Sequence, residues 1–529
     1  MVAIAQLVRA SVCGTEGRWF EPTQQYQKMA KEKKLKPELA SGFIDRKGNE
    51  LILKDRLIEI IKRNFQLYGF EPLETPGFEI SENIGKFLPD EDRPMSGVFG
   101  FKDERDWISL RYDLTAPLAR YVAANETLIS KPFKRYQVGT VWRNEKPGPG
   151  RFREFTQVDA DIVGTKNPLA DAEICILLAD TLQKCGLNKN EYVIKVSNRK
   201  CFFGILDWLK ISDEKQKIGT IRAVDKLDRL GIKGVESLLG EGRKDKSGDF
   251  TKGVGLKQKQ IKRILDYIKY MGDIDFFRDA PPVEYDGISQ IYDEGNKELS
   301  NFFNVTRASE FKNQIIYSPS LVRGIEYYTG TIFEANLLFK VKNQKGQNVE
   351  FGSVGGGGRY DDLVKRFTNS AVPATGVSIG LDRLLVGIQQ SNTFWKNNKQ
   401  IENVGPVVVC VFDMKPFLAK ASNESDWKKK TAPYYNLLKT LRSAGIKSEI
   451  YSGDGNIKAQ MKYADSRNSP AVILYGENEA KSGTVTIKNL NLGKEVSTET
   501  KTREDWKNNQ SVQKTVKLEE LVDEIKKII

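Results

Sequence analysis

The 529-residue chain contains no histidine. That removes the side chain most often used as a general base and as a metal ligand, so its chemistry proceeds without either. Cysteine is sparse: Cys13, Cys175, Cys185, Cys201 and Cys410 are odd in number and never spaced C-x-x-C. This argues against a disulfide framework and a zinc site, and for a reducing, cytosolic compartment. No apolar run approaches membrane-spanning length. GxGxxG and GxxxxGK[ST] are also missing, which leaves no support for a dinucleotide fold or a P-loop.

What is present describes a soluble globular protein. Apolar residues make up 39% and charged residues 29%, and the length suits two or three domains. A net charge of +13 favours a polyanionic partner, although plain solubility accounts for it equally. The first 28 residues stand apart. They have no basic stretch before their apolar start and no A-x-A-like cleavage site, so they make a weak signal peptide. They resemble peptides produced when a reading frame crosses a tRNA gene. Residues 1–42 are expected to form a leader, its first part mis-assigned translation ahead of Met29. A disordered tail is the alternative.

The strongest pattern runs from Leu110 to Gly164. Tyr136, Val138, Thr140 and Trp142 lie on one side and Arg135, Gln137, Gly139 and Arg143 on the other, the period of a half-buried strand. Two prolines and two glycines between Glu145 and Gly150 force a turn. Period two resumes from Arg151, with Arg153, Phe155, Gln157, Asp159 and Asp161 on the same side. The expectation is a long hairpin with arginines near its loop and an amide and carboxylates farther down. Arginine forks match phosphate oxygens, and carboxylates pair with an ammonium or a ring N–H. A solvated face with ordinary charge pairs fits the same alternation.

Helical spacing of Leu53, Leu57, Ile60, Ile61, Phe65 and Tyr68 predicts a helix that Gly69 stops. The proline-bearing segment from Phe70 to Pro76 then reads as an edge strand. Helix and strand together suit a dimer surface or plain core packing. Residues 171–185 read as a helix and 192–196 as a strand. Lysine-rich helical patterns from about 212 to 305 read as an inserted module, its basic face nucleic-acid-binding or simply solvated. Farther on, LVRGIEYYTGTIFEA is a strand signal, and FGSVGGGGRYDDLV sets four glycines between a strand and a helix. That placement favours a close backbone approach to a ligand. TGVSIGLDRLLVGI reads as strand, glycine and helix, with Arg383 in the first helical turn, an anion site. Residues 389–404 read as a polar linker. Beyond it, β-α-β-α-β order from Val407 to Tyr475, a hairpin of Thr484–Lys488 with Lys494–Ser497 and a final helix predict a small mixed sheet covered by helices.

RNEKPGPGRFREFTQVDADIVG, LVRGIEYYTGTIFEA, GGGGRYDDLV and GVSIGLDRLL resemble the motifs of histidyl-tRNA synthetases, a class II family, from about Phe43 to the C-terminus. RGIEYYTG is the segment that separates this family from other class II enzymes. The resemblance implies an α+β fold. An antiparallel-sheet catalytic domain (43–211 and 306–388) is interrupted by a helical insertion (212–305) and followed by the linker and a C-terminal α/β anticodon-binding domain (405–529). It implies a cytoplasmic homodimer without membrane association, with Pro76 at the dimer surface. The implied reaction is ATP-dependent activation of L-histidine to histidyl-adenylate, with Mg2+ on the phosphates, then transfer to the 3′ end of tRNA(His). The attacking carboxylate is already an anion, so positioning and charge stabilisation suffice without a side-chain base.

By the same resemblance Arg143, Arg323 and Arg383 are the catalytic arginines. Arg143 and Arg383 bind ATP phosphates, with Glu145, Arg151 and Gly380 in the same site. Arg323 sits on the α-phosphate, against the histidine, where related enzymes use a metal; no fixed protein metal site is implied. Asp113, Thr115 and Gln157 hold the α-ammonium of histidine, and Asp161 and Tyr328 take its two imidazole nitrogens. Tyr327 and the glycines Gly355, Gly356, Gly357 and Gly358 line the pocket. Many bacterial members carry Glu where this chain has Asp113 and Asp161, and their loop differs from EKPGPG; the shorter acids resemble the eukaryote-like pattern. Two alternatives share the fold: a synthetase-like regulatory subunit of histidine biosynthesis, which usually lacks the anticodon domain, and a synthetase for another amino acid, which lacks RGIEYYTG.

Overall fold

The computed structural model describes residues 36–84, 97–145, 147–148, 150–244, 248–270, 288–322, 328–342, 348–368, 371–391, 405–412, 424–493 and 512–529. The leader up to residue 35, Arg323, Tyr327 and most of the expected linker lie outside them.

Helix α1 (Asn49–Leu67) forms because Leu53, Leu57, Ile61 and Phe65 recur every four residues, and all four are buried. It ends at Gly69, whose φ of +80° is a left-handed turn that a side chain resists. Strand β1 (Glu71–Pro72) follows at a sheet edge, where proline is tolerated. A satellite sheet holds β2 (Phe78–Ile80), β3 (Gly100–Lys102) and β4 (Trp107–Leu110), with α2 (Ser81–Ile84) between the first two. Helix α3 (Thr115–Ala124) leads into the hairpin β5 (Phe133–Trp142) and β6 (Glu154–Val163). Helix α4 (Pro168–Lys184) starts on Asn167, whose side chain accepts from the Leu169 N–H at 3.0 Å, with proline at the first position. Asn64 of α1 donates to Thr181 of α4 at 2.9 Å and fixes how the two helices pack.

Strand β7 (Tyr192–Asn198) and α5 (Arg199–Trp208) precede a helical module: α6 (Glu214–Val224), α7 (Leu227–Leu239), the hairpin β8 (Gly242–Lys244) and β9 (Phe250–Lys252), and α8 (Gln258–Tyr270). Helix α9 (Gln290–Arg307) packs on α4 and α5, so the last helix of the expected insertion lies against the main body. Strands β10 (Ile315–Tyr317), β11 (Thr331–Leu337), β12 (Lys340–Lys342), β13 (Asn348–Glu350), β14 (Ser353–Arg359) and β15 (Ala374–Gly380) and helix α10 (Leu381–Gln389) complete this part. Among the described residues the main sheet has eight strands, in the order β1-β5-β6-β15-β14-β11-β7-β10. From β5 to β7 neighbouring strands are antiparallel, whereas β1 joins β5 and β10 joins β7 in parallel.

Three local expectations change. Strand β5 does not alternate strictly: Arg135, Tyr136 and Gln137 are buried in succession, because helices cover one face and the site lies on the other, while most of its remaining residues are half-buried. Arg151 and Arg153 precede β6 rather than extend it; the Arg153 N–H donates to the Gly42 carbonyl at 2.8 Å instead of to a strand. The glycine run is not a loop between a strand and a helix but the body of β14, paired on both sides.

The C-terminal part contains β16 (Val407–Val411), α11 (Glu424–Ser443), β17 (Ser448–Ile450), α12 (Ile457–Ser466), β18 (Ala471–Tyr475), α13 (Glu477–Ser482), β19 (Thr484–Asn489), β20 (Gln513–Lys517) and α14 (Leu521–Lys526). Its sheet order is β17-β16-β18-β19-β20. Val407, Val409 and Val411 pack with Leu437, Leu441 and Ile525 on one face, Val408 and Cys410 with Ala464 on the other. Such two-sided burial explains why β16 is apolar throughout. Strand β19 pairs with β18 and β20; Lys494–Ser497, expected as its hairpin partner, lies outside the described residues.

Candidate active site

Strand register lays three rows of side chains across one face of the main sheet. Gly139, Gln157 and Gly380 form the first row, and Gln137, Asp159, Ser378, Gly356, Glu334 and Lys195 the second. Arg135, Asp161, Gly376, Gly358 and Ile332 form the third. Register partners and alternate residues along a strand share a face. Over this face lies a cavity of about 400 Å³ that Gln157, Gly380, Ser378, Gly356, Glu334 and Ile332 help to line. Its floor is β14. A Cβ on Gly357 would lie 2.0 Å from the Gly376 carbonyl oxygen, and one on Gly376 would lie 1.9 Å from a carboxylate oxygen of Asp161. Neither position admits a side chain.

Arg143, Arg151 and Arg383 line the end nearest the hairpin loop, with Glu145, Gly150 and Phe152. The Arg143 guanidinium lies 4.4 Å over the Tyr112 ring and 5.2 Å over Phe155, and donates to the Tyr112 carbonyl at 3.2 Å. Arg383 lies 4.9 Å over Phe351 and donates to its carbonyl. Aromatic faces orient a planar guanidinium, and its N–H fork suits an anion. Asp382 anchors the helix that carries Arg383. Its buried carboxylate pairs with Arg46 at 2.8 Å and Lys54 at 3.4 Å, and accepts from the Thr156 N–H at 2.5 Å. With the Gly42–Arg153 bond, the N-terminal segment straps both the hairpin loop and α10.

Two buried acids stand farther along β6 on the same sheet face. Asp161 pairs with the fully buried Arg135 at 2.8 Å and accepts from the Tyr360 hydroxyl. Asp159, 1% exposed, has no protein partner of normal hydrogen-bond geometry on either oxygen. Burial pushes both carboxyls above their ordinary range, Asp159 to about 8. The Arg135 guanidinium opposes that rise at both carboxyls, and the Tyr360 hydroxyl opposes it at Asp161. Tyr328 lines the cavity; burial, then Asp159 and Asp161, push its hydroxyl upward, and it remains a donor.

The cavity thus gathers Arg143, Glu145, Arg151, Gln157, Tyr328, Gly355, Gly356, Gly357, Gly380 and Arg383. Asp161 and Gly358 lie in the third row and do not line it. Nor do Asp113 and Thr115: Asp113 Oδ1 accepts from the Thr115 and Ala116 N–H groups at 3.0 and 2.9 Å and caps α3. Sequence reasoning missed Glu334, Ser378 and Phe155 in the lining, and Arg135 and Tyr360 on Asp161. Most of them stand inside the quoted motifs, but only strand register reveals which residues meet.

The antiparallel sheet, the arginine-rimmed cavity on its face and the C-terminal α/β part with its own core are the organisation of a class II aminoacyl-tRNA synthetase. The family pattern described as histidyl-tRNA synthetase matches residues 42–384, and the anticodon binding domain pattern matches residues 407–528. The chain belongs to the histidyl-tRNA synthetase family. The histidine–tRNA ligase of Bartonella henselae is 45% identical over 510 residues, spanning 94% of this chain and 99% of that protein. That of Brucella suis is 44% identical over 503 residues, spanning 94% and 97%. The crystal structure of histidyl-tRNA synthetase from Nostoc sp. PCC 7120 matches with a TM-score of 0.67 at 25% identity, covering 94% of this chain and 100% of that one. A Bacillus halodurans structure titled ATP phosphoribosyltransferase regulatory subunit/histidyl-tRNA synthetase shares the fold, with a TM-score of 0.60 at 19% identity.

Proposed function

We infer that the chain is a histidine–tRNA ligase, which activates L-histidine with ATP and transfers it to the 3′ end of tRNA(His). The observation that carries this is the polarity of one cavity: guanidinium groups of Arg143, Arg151 and Arg383 at one end, Tyr328 in the lining with the Asp161–Arg135 pair in the third row of the same sheet face, and glycines between. The phosphates of ATP suit the arginine end, where planar forks meet phosphate oxygens. The amino acid lies over β14 with its ring toward Tyr328 and Asp161. Arg323, by its place in RGIEYYTG, belongs on the α-phosphate. Mg2+ arrives with the phosphates and takes oxygen ligands; Glu145 and Glu334 are carboxylates in the lining that suit it. The carboxylate of histidine attacks without losing a proton, so the arginines act by stabilising phosphoryl charge.

Residues 405–529 bind the anticodon, and α6 to α8 form the insertion within a catalytic domain beginning near residue 43. A second copy of the chain suits the satellite sheet, where Phe78, Ile80, Phe101 and Trp107 are exposed on strands adjoining Pro76. The buried free cysteines suit the cytoplasm. The regulatory-subunit reading is disfavoured by the anticodon binding match and by Arg143 and Arg383 both facing the cavity. Pyrophosphate exchange with each of the twenty amino acids, then charging of tRNA, tests the proposal. Exchange with histidine alone is expected; exchange with a different amino acid, or none, overturns it.

A further inference from the structure

Tyr112 does not line the cavity, yet it touches two groups that do, Arg143 and Glu145. It lies just past β4, and the Trp142 N–H, at the end of β5, donates to the Arg111 carbonyl at 3.1 Å. That main-chain bond sets Tyr112 alongside the residues that leave the hairpin strand. The Arg111 guanidinium pins the same place, donating to the Thr75 and Thr140 carbonyls at 2.7 and 2.8 Å. The Tyr112 ring packs on Ile84 and Val98, both buried, and the Arg143 guanidinium lies 4.4 Å over it. Its hydroxyl donates to a Glu145 carboxylate oxygen at 2.6 Å. Burial pushes the phenol above its ordinary range, although Arg143 opposes the rise, so the group stays a donor at neutral pH.

Arg143 and Glu145 carry opposite charges, stand two residues apart and line the same cavity. Such neighbours ordinarily pair, and a guanidinium tied to a carboxylate has its fork taken when a phosphate arrives. Among the described residues the two form no ion pair with each other. Arg143 Nε instead donates to the Tyr112 carbonyl at 3.2 Å. Glu145 is held twice, its carboxylate by the Tyr112 hydroxyl and its carbonyl by Arg153 Nε at 3.2 Å. Asn144, between them, donates its N–H to the Gly97 carbonyl at 2.8 Å. One tyrosine thus supplies a platform for the cation and a tether for the anion.

We propose that Tyr112 is a positioning residue that keeps Arg143 and Glu145 apart, so that the guanidinium is open to a nucleotide phosphate. This rests on the ATP reading of the arginine end and adds a residue to it. The hydroxyl is the tether and the ring is the platform, so substitution separates the two roles. Without the hydroxyl, the Glu145 carboxylate swings to Arg143 and competes with the phosphate. Without the ring, the guanidinium also loses the surface that orients its plane.

The test uses the full-length chain, with ATP binding read by calorimetry and activation by pyrophosphate exchange with histidine. Tyr112→Phe keeps the ring and its packing on Ile84 and Val98. It should raise the ATP Kd and the ATP KM by roughly 3- to 10-fold, the scale of one partly exposed hydrogen bond, and leave the histidine KM unchanged. In a Glu145→Gln background the same change should cost less than about 2-fold, because a neutral amide does not compete for Arg143. Tyr112→Leu should also slow exchange at saturating ATP, and Glu145→Gln should not rescue that loss. An equal cost of Tyr112→Phe in the two backgrounds overturns the proposal. So does a histidine KM that rises with the ATP KM beside a lowered Tm, the pattern of a merely structural tyrosine. If Tyr112→Leu behaves like Tyr112→Phe, the ring is no platform and that half of the assignment falls. A parent that binds ATP but exchanges with no amino acid refutes the ligase reading instead, and the ATP Kd in the two backgrounds still decides the role of Tyr112.

Discussion

Asp382→Asn tests the fastening between the N-terminal strap and the helix that carries Arg383. The carboxylate is 2% exposed and makes three contacts: Arg46 at 2.8 Å, Lys54 at 3.4 Å and the Thr156 N–H at 2.5 Å. Asparagine keeps an acceptor for Thr156 but removes the charge facing two cations that are only 12% and 14% exposed. Removing one member of a buried ion pair costs about 3–5 kcal/mol. The lower end applies, because Arg46 retains Glu50 at 3.2 Å and both cations keep some water. The expected loss is therefore about 3 kcal/mol, read from urea unfolding. Function should move in a particular direction. Arg383 stands on the first turn of α10, next to Asp382, so the ATP KM in pyrophosphate exchange should rise while the histidine KM changes little. A double mutant with Arg46→Met should cost about 2 kcal/mol less than the sum of the singles. Additive losses, or a histidine KM that rises while the ATP KM stays put, would refute the fastening.

Asp161→Asn should weaken histidine-dependent kcat/KM by about 1–3 kcal/mol, because an amide disrupts the Arg135 and Tyr360 contacts that aim this group; a shift confined to the ATP KM would contradict it. Gly376→Ala should leave little soluble protein, since its methyl would fall 1.9 Å from an Asp161 oxygen, and a variant that melts like the parent would show that the sheet yields there. Arg323→Ala should slow adenylate formation by roughly 10²–10³ while transfer from preformed adenylate suffers less; equal losses in both steps, with a large drop in Tm, would mark a structural arginine. A chain beginning at Met29 should charge tRNA at an unchanged rate, and a large deficit would show that the leader contributes.

Much of this was legible where the chain repeats with a clear period. The hairpin, α1 and the β-α-β order after Val407 follow from alternation and four-residue spacing alone. The glycine run was misread because residues without side chains carry no periodicity; only its neighbours β11 and β15 make it a strand. Strand β20 was not anticipated because it lies more than twenty residues beyond β19, past any local turn signal. The site divides in the same way. Arg143, Gln157 and Arg383 could be anticipated from motif and period. The pairing of Asp161 with Arg135 and Tyr360 arises from contacts between distant segments.

A floor made of backbone also constrains how such a pocket can diversify. At Gly357 and Gly376 any substituent meets main-chain or carboxylate oxygen before it meets a substrate. Those positions cannot be used to enlarge, shrink or decorate the cavity. Changes of substrate preference must come from the walls: Gln157 on β6, Ser378 on β15 and Glu334 on β11. A library meant to redirect the enzyme toward another amino acid gains from sampling these three positions together and from leaving β14 untouched.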